Sequence, residues 1–131
     1  MSKKLVPSMR FLVFAVAALL VVMSTIDAAD EDKKYSDAYD DLDVDVILKD
    51  DAERDRYYAC FMDTGPCHTA AAHFFKNKAP EAIITACKYC TKKQLEMFEK
   101  IVSWYVDNKS QDWNILIEKT IQDAKKKGLK I

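Results

Sequence analysis

Four cysteines, Cys60, Cys67, Cys87 and Cys90, fall within 31 residues of a 131-residue chain, and they carry the most versatile chemistry in it. Their spacing, Cys-x6-Cys and Cys-x2-Cys, suits three uses. Zinc can be held by a Cys-x2-Cys joined by His68 or His73, but these intervals do not form a standard finger, and no metal or other cofactor is expected. A dithiol redox pair at Cys87-Lys88-Tyr89-Cys90 calls for a βαβ setting, which the sequence lacks. Structural disulfides suit a small secreted domain best. Four cysteines allow three connectivities, and spacing alone does not choose among them. Sequential pairing, Cys60 with Cys67 and Cys87 with Cys90, is geometrically the easiest. Its short loops would contribute about 2–2.5 kcal/mol each.

The compartment follows from the first 28 residues. Lys3, Lys4 and Arg10 precede an uncharged run from Phe11 to Met23, and the small residues Ala28 and Ala29 come after it. That order marks a signal peptide, residues 1–28, with cleavage near Ala28. The apolar run is too short for a hydrocarbon core that needs roughly 20 residues. No membrane insertion of the mature chain is expected, and its place is extracellular. Three of the twenty basic and one of the twenty-one acidic side chains lie in the leader, leaving residues 29–131 with a net charge of −3. A surface of mixed sign argues against a nucleic-acid partner. About a hundred residues make one domain with a modest core. No hydrolytic motif is present, and the abundant carboxylates follow helical surfaces, so no enzyme is expected.

The elements that position these residues read as helices. The mature part holds only Gly65, Gly128, Pro66 and Pro80 as turn formers, too few for an all-β domain. An acidic, Tyr-containing arm over 30–41 leads in. A short helix over Asp43 to Leu48 follows, although Val44, Val46 and Leu48 also alternate as a strand would. Asp50 or Asp51 caps the next helix, which carries Arg54, Tyr57, Tyr58 and Phe61 and stops at Gly65-Pro66. Thr69 suits a short helix over Ala70 to Lys76 with Phe74 and Phe75, and Pro80 suits the first turn of another with Ile83 and Ile84. Thr91-Lys92-Lys93-Gln94 has the form of a capping box. Beyond it Leu95, Phe98, Val102 and Tyr105 recur at helical spacing, widened by Ile101 and Val106. Ser110 or Gln111 opens the last helix, with Trp113, Leu116, Ile117, Ile121 and Ala124 on one face and Gly128 after its end. The fold class is all-α, with five or six short amphipathic helices around an apolar core or channel.

Taken in order, Tyr35-x3-Tyr39-Asp40, Asp43-x-Asp45-x-Ile47-Leu48, Tyr57-x2-Cys60-x6-Cys67 and Cys87-x2-Cys90-Thr91 resemble the insect chemosensory proteins, also called the OS-D or A10 family. The likeness runs from about residue 35 to 119. It implies a secreted helical carrier whose helices wrap an apolar channel for fatty acids, fatty alcohols or related semiochemicals, with two local disulfides in sequential order. Tyr57, three positions before the first cysteine, matches a tyrosine that lines or gates the channel. Tyr39, Ile47 and the stripe from Leu95 onward match pocket or core. Two departures stand out. The 19 residues between Cys67 and Cys87 exceed the commonest spacing by one. The family's turn and sixth helix after its late Trp are replaced by an uninterrupted run to Gly128.

The expected partner is a small hydrophobic ligand, bound by a monomer, and any receptor is unknown. The candidate lining comprises Tyr39, Val46, Ile47, Tyr57, Tyr58, Phe61, Phe74, Ile84, Leu95, Phe98, Val102, Tyr105, Trp113 and Leu116, with Met62 and Met97 as adaptable wall. Tyrosine hydroxyls, rather than a buried charge, are expected to orient the guest. Asn108-Lys109-Ser110 is a candidate glycosylation site. The alternative is a signalling or interaction protein of development or tissue repair that acts through an exposed face.

Overall fold

Side-chain caps decide where most of the helices begin. The computed structural model describes residues 33–130, so the candidate signal segment lies outside the described residues. Five helices follow in order: α1 Val44–Lys49, α2 Asp51–Phe61, α3 Ala70–Ile84, α4 Lys92–Asn108 and α5 Ser110–Lys126. Among the described residues there is no strand, and no helix is long and apolar enough to cross a membrane. Asp43 accepts from the Val46 amide at 3.2 Å and Asp50 from that of Glu53 at 3.1 Å. Thr69 serves the Ala72 amide at 3.0 Å. At α4 the capping box is complete, with Gln94 N donating to Thr91 Oγ1 and Thr91 N to Gln94 Oε1. Each such cap satisfies an otherwise orphaned amide, worth about 1 kcal/mol. Only Lys109 separates α4 from α5, without a side-chain cap.

Of two expectations about the helices, the short helix over Asp43 to Leu48 is borne out and the break at Pro80 is corrected. The alternation Val44, Val46, Leu48 folds as a helix, so Val44 and Leu48 face inward four residues apart while Val46 stands 62% exposed. The two short helices expected on either side of Pro80 are one continuous α3, with Pro80 inside it and buried. Proline has no amide to give the Lys76 carbonyl, which costs a helix interior about 3 kcal/mol, so packing must hold this one together. The neighbouring Asn77 carbonyl accepts from Lys127 Nζ, at 3.4 Å, just past the end of α5. In α5 the chain runs unbroken to Lys126 and ends at Gly128, whose φ of 75° lets Leu129 N donate back to the Ala124 carbonyl. A separate sixth helix is absent among the described residues.

Both disulfides are local and sequential. Cys60 pairs with Cys67 and Cys87 with Cys90, and no cysteine among the described residues is free. Both pairs are thus bridged, with no free thiol among the described residues to ligate zinc. The first bridge closes the end of α2, and the second braces the turn between α3 and α4, where Ala86 and Cys87 adopt left-handed φ values. That turn also anchors the acidic arm. Tyr35 N donates to the Tyr89 carbonyl and its hydroxyl to Glu81, both at 2.8 Å. Thr91 Oγ1 and Gln94 Nε2 donate to the two oxygens of Asp40, and Gln94 reaches Ser36 O as well. The arm is thus folded back on the capping box of α4.

The core gathers Val44, Leu48, Met97 and Tyr105, with Leu42, Tyr58, Phe75, Ile101, Trp104 and Trp113 packed against them. Outside it, Asp63 ties α3 to α5 by accepting from Lys76 and Lys119, each at 2.7 Å. Hydrogen bonds from Lys119 and then Lys76 lower its pKa from 3.8 to about 2. The carboxylate therefore stabilises the fold above its unfolded pKa, and that share disappears as pH falls through about 2. Because Asp63 is 58% exposed, the contribution is discounted to about 0.5–1 kcal/mol. Asn tolerates the φ of 59° found here. Asp63→Asn should thus lower stability by that amount at pH 7 in urea titrations, with the difference vanishing near pH 2. An equal loss at both pH values would show that the ion pairs are not its source.

Candidate functional site

An almost wholly apolar cavity of about 160 Å³ runs between the helices. All five contribute wall: Val44, Ile47 and Leu48 from α1, and Arg54, Tyr57, Tyr58 and Phe61 from α2. Helix α3 supplies Phe75, Lys78, Ala79, Ala82 and Ile83, and α4 supplies Gln94, Met97, Phe98, Ile101 and Tyr105. Trp113, Leu116, Ile117 and Thr120 of α5, Tyr35 and Leu42 of the arm, and Cys87 and Cys90 complete it. The second disulfide is therefore part of the wall as well as a brace.

Most polar groups at this wall are already engaged. The Tyr58 hydroxyl donates to the Asp112 carbonyl at 2.9 Å, and Thr120 Oγ1 to the Leu116 carbonyl at 2.7 Å. Tyr57 shares a 3.3 Å hydrogen bond with Thr69 Oγ1, and its ring meets His68 edge-on at 5.0 Å. His68 sits in the loop before α3 and bonds Glu53 at 2.6 Å. Burial raises the pKa of Tyr58 and pushes that of Tyr105 up to about 12, so both hydroxyls stay protonated at neutral pH. Among the described residues no group of three His, Cys, Asp or Glu side chains is placed to hold a metal.

Of the fourteen residues expected to line a pocket, Ile47, Tyr57, Tyr58, Phe61, Phe98, Tyr105, Trp113 and Leu116 do so. Tyr39, Val46, Phe74, Ile84, Leu95 and Val102 do not. Five of these six miss by one position, because Ile47, Phe75, Ile83, Gln94 and Ile101 occupy the wall beside them. A helix turns about 100° per residue, so that single step rotates a side chain off the face. Leu95 is 40% exposed because Gln94, bonded to the arm, takes the inward place. Tyr39 packs on Phe74 with ring centres 5.2 Å apart, away from the cavity. Met97 lines the wall, whereas Met62 caps the end of α2. Asn108, the candidate glycosylation site, is the exposed last residue of α4, and its Nδ2 donates to the Trp104 carbonyl.

Arg54 sets a buried charge at this wall, beside the tyrosines expected there. It is only 5% exposed and belongs to the wall, its guanidinium carbon 4.4 Å from the centre of the Trp104 ring. Its place three and four residues before Tyr57 and Tyr58 puts it on their face, which is the signal the sequence offered. The small Ala79 and Ala82 were missed too, because alanine marks a cavity by absence of bulk.

Residues 35–128 match the insect pheromone-binding family A10/OS-D. The chain is 37% identical over 97 residues to ejaculatory bulb-specific protein 3 of Drosophila melanogaster, covering 74% of this chain and 75% of that one. It is 31% identical over 85 residues to allergen Tha p 1 of Thaumetopoea pityocampa, covering 65% and 67% respectively. Among solved structures, a chemosensory protein in complex with bromo-dodecanol superposes with a TM-score of 0.63 at 29% identity, over 66% of this chain and 86% of the other. With its cysteine pairing, its five helices and the match over residues 35–128, the chain belongs to the insect A10/OS-D family of chemosensory proteins.

Proposed function

We propose that this protein is a secreted, non-catalytic carrier that binds and solubilises small hydrophobic molecules in extracellular fluid. Its guests are fatty acids, fatty alcohols and related semiochemicals. Residues 1–28 are its removed signal peptide, and residues 29–131 act as a monomeric domain. The observation that carries this reading is the apolar cavity with walls from all five helices. The structural relative bound to bromo-dodecanol supports the same ligand class. An apolar cavity of about 150 Å³ stays dry and accepts benzene. At about 160 Å³, the cavity here has room for a guest of that size, so a long chain must spread the walls. Both disulfides permit this, since neither crosses from one end of the core to the other.

Titration of the oxidised protein with a lipophilic fluorescent probe, followed by displacement with C12 to C18 acids and alcohols, tests the proposal. Saturable one-to-one binding is expected, with Kd on the order of micromolar, about −8 kcal/mol. Trp113 lies in the wall, so its emission should change in parallel. Probe uptake that never saturates, or that alcohols and acids fail to reverse, would sink the reading.

A further inference from the structure

Among the described residues, one buried side-chain nitrogen or oxygen has no hydrogen-bond partner, and it is Arg54 Nε. The rest of the guanidinium is held firmly. Nη1 donates to the Leu48 carbonyl at 3.0 Å and to Asp51 at 2.8 Å, Nη2 reaches Asp55 at 3.5 Å, and the plane lies over Trp104. A buried donor without an acceptor is rare in folded proteins and calls for a specific explanation. Arg54 belongs to the cavity wall and its Nε is closed off as the wall stands, so a guest that spreads the helices can bring to it the acceptor that the fold does not supply.

A second donor lies close by. The ring of Tyr105 meets Trp104 edge-on at 5.0 Å, Tyr105 lines the same cavity, and its hydroxyl makes no hydrogen bond among the described residues. Charge then selects the kind of acceptor. Asp51 and Asp55 already set two negative charges against the single positive charge of Arg54. An incoming carboxylate would add a third and would also have to leave water. A neutral oxygen accepts the same hydrogen bond without either cost.

We propose that the cavity takes its guest head-first toward Arg54, with the neutral oxygen of a long-chain alcohol, aldehyde or ester accepting from Arg54 Nε–H and from the Tyr105 hydroxyl. Such guests rank above the free acid of equal length. This assignment rests on the carrier reading and deepens it.

The test compares dodecanol, methyl dodecanoate, dodecanoate and headless dodecane as competitors of one fluorescent probe. Arg54→Lys keeps a cation near Leu48 O and Asp51 but has no Nε–H. It should weaken dodecanol and the ester about 10-fold, the scale of a hydrogen bond to a charged group, while leaving dodecane unchanged. Tyr105→Phe should weaken the same two ligands about 3-fold. The wild-type protein supplies a readout independent of any variant. The sequence holds only Arg10, Arg54 and Arg56, so the Arg Nε–Hε resonances are few. Dodecanol should shift one of them and slow its exchange with water, whereas dodecane should not. Binding of dodecane and dodecanol with that resonance unmoved overturns the anchor and leaves the carrier intact. Dodecanoate binding more tightly than dodecanol, and weakened by Arg54→Lys, overturns the preference for a neutral head. Failure of every ligand and of the probe removes the carrier reading and this assignment with it.

Discussion

Tyr105→Ala is expected to destabilise the protein by about 3–5 kcal/mol, the range for removing a large buried aromatic side chain. Tyr105 is 6% exposed and sits where three helices meet. Its ring stacks on Tyr58 of α2 at 6.0 Å and on Trp113 of α5 at 5.8 Å, and it meets Trp104 of its own helix at 5.0 Å. Each aromatic pair adds about 0.5–1.5 kcal/mol beyond the area buried. Truncation also enlarges a cavity that is already there, so the neighbours have little incentive to collapse inward. A domain of this size has about 5–15 kcal/mol in all, so the variant loses a large share of its stability and should unfold at clearly lower urea. Tyr105→Phe keeps the ring and gives up a hydroxyl with no partner among the described residues, so it should stay within about 1 kcal/mol of the wild type. Urea unfolding followed by Trp fluorescence distinguishes the two. If Ala and Phe cost the same small amount, the aromatic junction is not what holds α2, α4 and α5 together.

Ala82→Phe is expected to abolish ligand binding, weakening it at least about 100-fold, while the protein stays folded. Ala82 lines the cavity from α3, beyond Pro80. A phenyl ring is close in size to the benzene that a cavity of about 150 Å³ accepts. Placed from Ala82, it competes directly with a guest for about 160 Å³ of space. Filling a void restores lost dispersion contacts, whereas overpacking costs about 1–3 kcal/mol, so the melting temperature shows which occurs. The probe and displacement series read the binding. Undiminished affinity in a folded Ala82→Phe protein would place the guest elsewhere.

Much of this architecture is legible in the residues because it is written in local chemistry. Asp43, Asp50, Thr69 and Thr91 cap helices through contacts spanning three residues, and Gly128 ends α5 by its own φ preference. The cysteine spacing suits the pairing that is found. Long-range packing is less legible. Pro80 signals a helix start, yet its burial within a continuous α3 overrides that preference. The phase of the inward faces was misread by one residue in several places, since pattern alone does not distinguish a buried Gln94 from a solvated one. Gln94 is inward because its side chain serves the arm, dozens of positions earlier in the chain. Arg54 escaped for a related reason: a charge reads as exposed until the carbonyl, carboxylates and indole that receive it are assembled around it.

The cavity also makes the protein's volume a thermodynamic variable. Unfolding floods empty internal space with water, so a folded state that encloses voids occupies more volume than its unfolded chain, by about 20–100 mL/mol in typical proteins. The cavity of about 160 Å³ between its helices gives this protein such a volume term of its own. A guest that fills the space removes this handle. Hydrostatic pressure and ligand thus oppose each other on a single coordinate, the degree to which the space between the five helices is occupied.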